Sequence, residues 1–355
     1  MPISPPNSLH RQIRDSLRKT ILEEYGDGEK FPSEPELIKS LGVSQGTVRR
    51  ALGDLAAEGL LVRKVPAGTF VRKPATHRPL GLIIPRWDSD SVSRWVEVAT
   101  LACQAGNIPL KVHHTAQGNR LEALLEELSH ETVDGHLLIS NAPEDTAFLV
   151  RALARRGSPC FTFDQAHPGA CHFAIDAARA TAPLVEHLLA LGHRRITYVV
   201  NEPRHFTGVE ARRGAFAGLT QARGLAACRI FDCEIQPWQS SHEVVLQSMD
   251  RILEGEPTAL LFASDFGAWA ALRALGERGW RVPQDISVAG YNDDGPSRYL
   301  SPSLTSMALP FESIAARFLE LARPGAEVPP RITFTPELIP RLSTGPAART
   351  TEIPL

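Results

Sequence analysis

The sequence lacks any apolar run long enough to cross a membrane, since a spanning helix needs about 20 mostly apolar residues and no segment approaches that length. Its first twenty residues also lack the apolar core of a secretory signal. Cysteines are few and odd in number, at Cys103, Cys160, Cys171, Cys228 and Cys233. This pattern favours reduced thiols over a disulfide framework, and we expect a cytoplasmic protein that contacts no membrane.

Metal and cofactor motifs are absent as well. The sequence contains no CxxC or HExxH, and neither a P-loop nor a GxGxxG motif is present. His167, Cys171 and His172 lie near one another, as do Cys228 and Cys233. We interpret both groups as isolated loop and core residues rather than metal ligands. We therefore expect no metal and no cofactor.

What is present is an ordinary globular composition with an uneven charge distribution. The 355 residues are 43% hydrophobic and 22% charged, which suits two or three folded units. Residues 1–79 carry 13 Lys and Arg against 9 Asp and Glu, whereas residues 80–355 carry 25 against 31. A basic head on an acidic body indicates a polyanion-binding module joined to a unit with another role.

A polar stretch with two prolines, residues 72–79, separates two patterns. We predict a first domain over residues 1–73, a linker over 74–79, a body over 80–345 and a disordered tail over 346–355. The body alternates short apolar strands with amphipathic helices, which predicts an α/β fold with parallel sheets covered by helices on both faces.

The head pattern predicts a winged helix-turn-helix. Residues 9–24 place apolar side chains on one helical face, at Leu9, Ile13, Leu17, Ile21 and Leu22. Ser33 and Glu36 form a capping-box pattern, Gly42 ends the second helix, and Ser44 caps a third helix that runs to about Glu58. Two strands, residues 59–64 and 69–73, then flank a wing over residues 65–68.

Five segments in this order resemble the GntR family of winged-helix regulators: LHRQIRDSLRKTIL, FPSEPEL, LGVSQGTVRRAL, EGLLVRK and AGTFV. The resemblance spans residues 9–71 and implies that the third helix enters the DNA major groove while the wing approaches the minor groove. The residues expected to contact DNA are Ser33, Ser44, Gln45, Thr47, Arg49, Arg50, Arg63, Lys64 and Gly68. Arg49 suits a guanine edge or a phosphate, and Gln45 suits adenine. The departures at Pro35, Gln45 and Pro66 leave the operator sequence and the wing contact open.

The body resembles the sensor domain of LacI-type repressors, which is itself similar to periplasmic sugar-binding proteins. The resemblance rests on segments such as FTFD, HLLALGHRRITYV, RRGAF, PTALLFASD, VPQDISVAGY and PELIPRLS, in that order. It implies a two-lobed, doubly wound domain with a ligand cleft between the lobes. We expect the first lobe to comprise residues 80–163 and 293–322, and the second to comprise residues 164–292 and 323–345. With the head, the chain is similar to arabinose-repressor-type regulators.

The same resemblance places ligand-binding residues in that cleft, at Trp87, Ser140, Asp164, Arg212, Trp238, Ser264, Asn292 and Phe311. Asp164 can accept hydrogen bonds from sugar hydroxyls, and Arg212 offers a planar fork of donors. Trp238 and Phe311 suit the apolar face of a sugar ring. Asp265 is expected to cap the helix that follows Ser264. Together these groups favour a carbohydrate, with a nucleobase or another metabolite as the alternative.

Three other functions were weighed. Some GntR-type heads carry an aminotransferase-like body, which needs a Schiff-base lysine late in the chain, but Lys111 is the sole lysine after Lys73. A transport binding protein would need an export signal and no DNA-binding head, whereas an enzyme of unknown type stays open as the less favoured alternative. We therefore expect a non-enzymatic repressor that binds double-stranded operator DNA as a homodimer and responds to a small-molecule effector.

Overall fold

The computed structural model describes residues 7–64, 66–72, 78–85, 90–115, 121–139, 142–203, 206–236 and 239–348. The chain divides into two compact units, Met1–Thr76 and His77–Leu355. In the described residues, no helix combines the length and the apolar character that membrane spanning requires.

The first unit is a small helical domain with an antiparallel sheet. Its elements are α1 (Asn7–Glu24), β1 (Lys30–Phe31), α2 (Glu34–Leu41), α3 (Gln45–Ala57), β2 (Leu61–Lys64) and β3 (Gly68–Val71). The strand order is β1-β3-β2. The helix-turn-helix and the β2–β3 hairpin match the predicted pattern, whereas β1 was not foreseen because it is only two residues long.

Local signals set the ends of α2 and α3. The Glu36 carboxylate accepts hydrogen bonds from the backbone nitrogen and the hydroxyl of Ser33, both at 2.7 Å. Gly42 ends α2 with φ 65°, a left-handed conformation that costs glycine little. The Ser44 side chain then accepts a hydrogen bond from the Thr47 backbone nitrogen at 3.3 Å. These contacts make the turn between the two helices tight and fix the start of α3.

The apolar face of α1 is narrower than the sequence pattern indicated. Ile13, Leu17 and Ile21 are buried in the core of the head, but Leu9 is 51% exposed and Leu22 is 44% exposed. The buried three repeat at intervals of four residues, so they form one stripe along the helix. Leu22 lies about 100° around the helix from Ile21. Leu9 continues the four-residue repeat but is exposed near the start of the helix, so only three of the five residues on the predicted face are buried.

The second unit contains two parallel sheets, each forming one lobe. The first lobe has strands β4 (Leu80–Pro85), β5 (Leu110–Thr115), β6 (Gly135–Ile139), β7 (Cys160–Phe163), β8 (Cys171–Ile175) and β14 (Arg331–Phe334), with helices α4 (Asp90–Ala105), α5 (Leu121–Ser129), α6 (Pro143–Ala154) and α11 (Phe311–Leu321). Its strand order is β14-β8-β7-β6-β4-β5. One apolar core joins the sheet to α4 and α11, and another joins it to α5 and α6.

The second lobe has four parallel strands between two helical layers. Its elements are α7 (Ala177–Ala190), β9 (Ile196–Val200), α8 (Thr207–Ala222), β10 (Arg229–Asp232), α9 (Ser241–Leu253), β11 (Ala259–Phe262), α10 (Asp265–Glu277) and β12 (Ser287–Ala289). The strand order is β10-β9-β11-β12. Helices α7 and α8 pack on one face of this sheet, and α9 and α10 pack on the other. Both lobes therefore have the doubly wound architecture that was predicted.

Three chain segments cross between the lobes, and the division differs from the predicted one. Strand β8 pairs with β7, and β14 pairs with β8, so residues 171–175 and 331–334 belong to the first lobe rather than the second. The chain passes to the second lobe near Asp176. The other crossings contain a short 3-10 helix (Gly295–Tyr299) and the antiparallel pair β13 (Ser306–Ala308) and β15 (Glu337–Ile339).

The end of the chain is more ordered than expected. His187 hydrogen-bonds Thr344 at 2.9 Å, and the Ala347 backbone nitrogen donates to Leu191 at 2.8 Å. Residues 346–348 of the predicted disordered tail therefore pack on the second lobe, while residues 349–355 lie outside the described residues.

Candidate functional site

A cavity of about 260 Å³ lies between the two lobes of the second unit. It adjoins the carboxyl ends of β7, β9, β11 and β12, where an open parallel sheet places loop residues that can bind a ligand. Its volume of about 260 Å³ is slightly below the roughly 300–1,000 Å³ typical of ligand pockets, which favours a small ligand. The lining includes five of the predicted ligand residues, Asp164, Arg212, Ser264, Asn292 and Phe311.

The guanidinium of Arg212, on α8, is the principal buried cation in this lining. Its side chain is 12% exposed, and Nη2 donates to the Ala263 carbonyl at 3.2 Å and to the Glu202 carboxylate at 3.4 Å. The guanidinium carbon lies 3.9 Å from the centre of the Tyr291 ring. Burial lowers the pKa of Arg212, but Tyr291, Tyr198 and the neighbouring carboxylates raise it by more, so the group stays charged.

Asp164 directly follows β7 and approaches the same guanidinium. Its φ of 75° is the left-handed conformation that aspartate tolerates better than most residues. Burial raises the pKa of Asp164, while Arg212 and a hydrogen bond from the Gly208 backbone nitrogen lower it. Gly208 has no room for a side chain, because a Cβ there would lie 2.1 Å from the Asp164 carboxylate. The carboxylate is thus held against the first turn of α8.

Glu202 was missed by the sequence analysis. It follows β9 and lines the cavity beside Arg212. Burial raises the pKa of Glu202 to about 7, with Asp164 adding to that rise and Arg212 opposing it. The signal that could have found it is its position, since Glu202 follows a strand just as Asp164 and Ser264 do.

Ser264 follows β11 and is fixed by Asn201, another residue that the sequence analysis missed. The Asn201 amide donates to the Ser264 hydroxyl at 2.7 Å and to the Ser241 hydroxyl at 3.1 Å. Its carbonyl oxygen accepts from the Ser264 backbone nitrogen at 3.1 Å. The Ser264 hydroxyl therefore lines the cavity in one fixed orientation.

Asn292 follows β12 and connects the lobes. Its side-chain nitrogen donates to the Ser91 hydroxyl on α4 at 2.7 Å and to Asp294 at 3.4 Å. Asn292, which was expected to bind the effector, thus uses its side-chain nitrogen for a contact between the lobes. Ser91 also donates to Asp294 at 3.0 Å.

Asp265 has a different role from the helix cap that was predicted. Ser264 occupies the capping position of α10, and Asp265 is its first residue. The Asp265 carboxylate is fully buried and accepts hydrogen bonds from Ser297 at 2.7 Å, Ser306 at 2.6 Å and the Asp294 backbone nitrogen at 2.8 Å. It therefore ties α10 to two crossing segments.

An aromatic cluster forms the wall of the cavity on the side of the first lobe. The Trp95 ring lies 4.9 Å from both Phe163 and Phe311, with edge-to-face geometry. Trp95 and Phe311 are almost fully buried, and both line the cavity. Trp87, Ser140 and Trp238, which were also predicted to bind the ligand, lie outside the described residues.

His172 also lines the cavity, and neither of its ring nitrogens has a hydrogen-bond partner among the described residues. Burial lowers its pKa, as do Arg331 and His167, so a neutral imidazole faces the cavity wall. Within the described ranges, no cluster of three or more His, Cys, Asp or Glu side chains is placed to hold a metal ion.

The second candidate surface lies on the head. Ser33, Ser44, Gln45, Arg49, Arg50, Arg63 and Lys64 are exposed there, and Thr47 and Gly68 are half-buried. The Thr47 hydroxyl lies 2.9 Å from that of Ser44 at the start of α3. Arg49 and Arg63 both reach Glu34, on α2. The surface thus combines the exposed face of α3 with the β2–β3 hairpin.

A winged helix-turn-helix with cationic side chains, joined to a two-lobed domain with a cavity between its lobes, defines the class of ligand-responsive DNA-binding regulators. Residues 9–71 match the family of bacterial regulatory proteins called gntR, and residues 185–344 match the periplasmic binding protein-like domain. The chain therefore carries a GntR-family DNA-binding domain and a periplasmic-binding-protein-like domain.

Relatives along most of the chain carry names of the same class. The HTH-type transcriptional regulator MalR of Streptomyces coelicolor is 27% identical over 335 residues, covering 88% of this chain and 96% of that protein. The arabinose metabolism transcriptional repressor of Geobacillus stearothermophilus is 25% identical, with coverage of 89% and 92%. A LacI family transcriptional regulator from Enterococcus faecium, solved with bound ribose, has a TM-score of 0.63 at 21% identity, covering 76% of this chain and 99% of that one. The protein is a transcription regulator with a LacI-type sensor fold.

The contact between α8 and Asp164 gives a first prediction. Gly208→Ala would displace the Asp164 carboxylate and break its hydrogen bond, which should lower the free energy of unfolding by about 1–3 kcal/mol. Gly214→Ala, in the same helix with no atom within 4 Å of the added Cβ, should instead stabilise by up to about 1 kcal/mol. Urea denaturation measures both. Equal stabilities of the two variants would contradict the contact.

The raised pKa of Glu202 gives a second prediction, on stability against pH. The unfolded carboxyl ionises near its ordinary 4.5 and the folded one near 7, so the folded protein holds the extra proton between these values. Raising the pH from about 5 to 7 should therefore lower the free energy of unfolding, by an amount on the order of 1–3 kcal/mol from this group. Glu202→Gln should show a smaller fall.

Urea denaturation at several pH values measures this difference between wild type and variant. Asp265 has a pKa raised in the same direction, but it is present in both proteins and cancels in the comparison. The same slope in both proteins would show that Glu202 ionises normally in the folded state.

Proposed function

We propose that the protein is a repressor that binds operator DNA through its winged helix and senses a small carbohydrate in the cavity between the lobes. It acts as a cytoplasmic homodimer and catalyses no reaction. The observation that carries the sensor assignment is the buried Arg212 guanidinium with the carboxylates of Glu202 and Asp164 beside it.

The chemistry of the cavity supports a carbohydrate. Carboxylates accept hydrogen bonds from hydroxyls, and a guanidinium donates to vicinal oxygens through a planar fork. Ser264 adds a fixed hydroxyl, and the aromatic wall of Trp95, Phe163 and Phe311 suits the apolar face of a sugar ring. The name of the relative from Geobacillus stearothermophilus, an arabinose repressor, agrees with this ligand class.

The exposed groups of the head support DNA binding. Arg49 and Gln45, both exposed on α3, are the residues that we propose to contact base edges in the major groove. Arg50, Arg63 and Lys64 supply salt-dependent affinity for phosphates, and the start of α3 near Ser44 favours an anion. Ser33, Thr47 and Gly68 complete the proposed contact surface. Two such heads in a dimer would read a pseudo-palindromic operator.

The effector controls DNA binding by favouring one arrangement of the lobes. A ligand shifts such an equilibrium only as far as its affinities for the two states differ. Ser91, on the first lobe, accepts a hydrogen bond from Asn292, which follows β12 in the second lobe, and both residues line the cavity. A ligand that contacts both lobes would therefore act at this connection between them. A change in lobe arrangement then alters the spacing of the two heads.

Two substitutions should separate sensing from DNA binding. Arg212→Ala should abolish the response to the effector and leave affinity for an operator, selected from random duplexes by the wild type, unchanged. Arg49→Ala should weaken operator binding by about 1–3 kcal/mol and leave thermal stabilisation by the effector intact. Gel retardation and thermal shift with a panel of sugars and purine bases measure the two effects.

Retained effector response in Arg212→Ala would contradict the proposed sensor site. Unchanged operator affinity in Arg49→Ala would contradict the proposed reading helix. Thermal stabilisation by a purine base, with none by any sugar, would show that the effector is a nucleobase. Turnover of a compound in the panel would show that the protein is an enzyme.

A further inference from the structure

Three side chains on the proposed DNA-binding surface converge on one carboxylate, that of Glu34. Arg49 approaches it through Nε at 3.5 Å and Nη2 at 3.2 Å. Arg63, on β2, approaches it through Nη2 at 3.4 Å. Gln45, the first residue of α3, lies within hydrogen-bonding reach of the same group. Glu34 therefore links α2, α3 and the wing hairpin.

Glu34 is well placed to act as a fixed point. It is the first residue of α2, directly after Ser33, whose backbone and hydroxyl are held by Glu36. The Glu34 side chain is 16% exposed, whereas those of Arg49 and Arg63 are 67% and 71% exposed. The hydrogen bond from Arg49 lowers the pKa of Glu34, so this carboxylate is ionised at neutral pH.

The contact with Glu34 occupies one edge of the Arg49 guanidinium and leaves a second edge available for DNA. Nε and Nη2 face the two oxygens of Glu34, and the end of the group that carries both Nη atoms stays free to donate. That end-on pair is the geometry in which arginine reaches O6 and N7 of guanine together. Without Glu34, the long Arg49 side chain would populate many rotamers and could contact several nearby phosphates.

A fixed negative charge on a DNA-binding surface also has a cost. Phosphates repel it, and the two arginines that it neutralises attract phosphates less. A carboxylate that served only stability could lie on any other face of the head, as Glu58 does where it pairs with Arg18 at 2.6 Å. Stability alone therefore does not explain why Glu34 lies between two exposed arginines, whereas a role in DNA recognition does.

We propose that Glu34 is a specificity-determining positioning residue, which orients Arg49 and Arg63 for base reading at the expense of sequence-independent affinity. The proposal rests on the DNA-binding function proposed above. It makes Glu34 a residue that acts through the arginines and Gln45, without contact to a base of its own.

The test compares Glu34→Gln with Glu58→Gln, which removes the same charge and also breaks an arginine pair, but on another face of the head. Fluorescence anisotropy measures affinity for the selected operator and for random duplex DNA over a range of salt concentrations. For Glu34→Gln we expect tighter binding of random DNA at low salt and a ratio of specific to random affinity that falls by about tenfold. For random DNA, the slope of log affinity against log salt concentration should steepen by up to about one unit, because the released arginines contact phosphates. Glu58→Gln should keep the wild-type ratio.

A variant that keeps the charge tests the geometry. Glu34→Asp shortens the side chain by one methylene, so its ratio should fall between those of the wild type and Glu34→Gln while its salt slope stays unchanged. Thermal unfolding checks that each variant is folded, and Glu34→Asp serves as the deciding variant if Glu34→Gln is not.

Each outcome of the test has a distinct interpretation. If wild-type protein prefers no operator over random DNA, the proposed function fails. If wild type discriminates and the Glu34 variants discriminate equally well, the positioning role alone is overturned. Equal losses of the ratio in Glu34→Gln and Glu58→Gln would also overturn it, because charge removal anywhere on the head would then suffice.

Discussion

The sensor half of the molecule depends on keeping one guanidinium charged away from water. Arg212 lies against the Tyr291 ring and donates to Ala263 and Glu202. Removing such a group from water is costly unless anions and hydrogen-bond acceptors surround it. Asp164 and Glu202 supply acceptor oxygens beside it, and the same burial raises the pKa of both groups, that of Glu202 to about 7. A ligand that enters this cavity meets charges that are already oriented and poorly hydrated, which is where hydrogen bonds to hydroxyls discriminate best.

The fold brings these groups together because parallel strands end at one edge of each sheet. Asp164 follows β7 in the first lobe, while Glu202 and Ser264 follow β9 and β11 in the second. No single lobe holds the whole site. The head works on a different basis, since its residues are neighbours in sequence on α2, α3 and the hairpin, and one carboxylate, Glu34, joins them.

This contrast explains what the sequence could predict. The helix-turn-helix follows from caps at Ser33, Gly42 and Ser44, which are local signals, and the resemblance of the head to its family rests on five ordered segments over residues 9–71. The division of the lobes depends on which distant strands pair, as β14 does with β8, and no local pattern specifies that pairing. The buried role of Asp265 was missed for the same reason, because its partners Ser297 and Ser306 lie 32 and 41 residues further along the chain. Glu202 lies only 10 residues before Arg212, and it was missed because no capping or periodic pattern marks this loop residue as part of the cavity.

We propose that one chain binds duplex DNA through its head and that a small molecule bound in its body changes this binding. The most direct measurement is gel retardation, at low ionic strength, of a DNA fragment from upstream of the protein's own gene, titrated with sugars that raise the protein's melting temperature. We expect a retarded complex whose amount changes with one such sugar. A protein that retards no fragment, with or without these sugars, would contradict it.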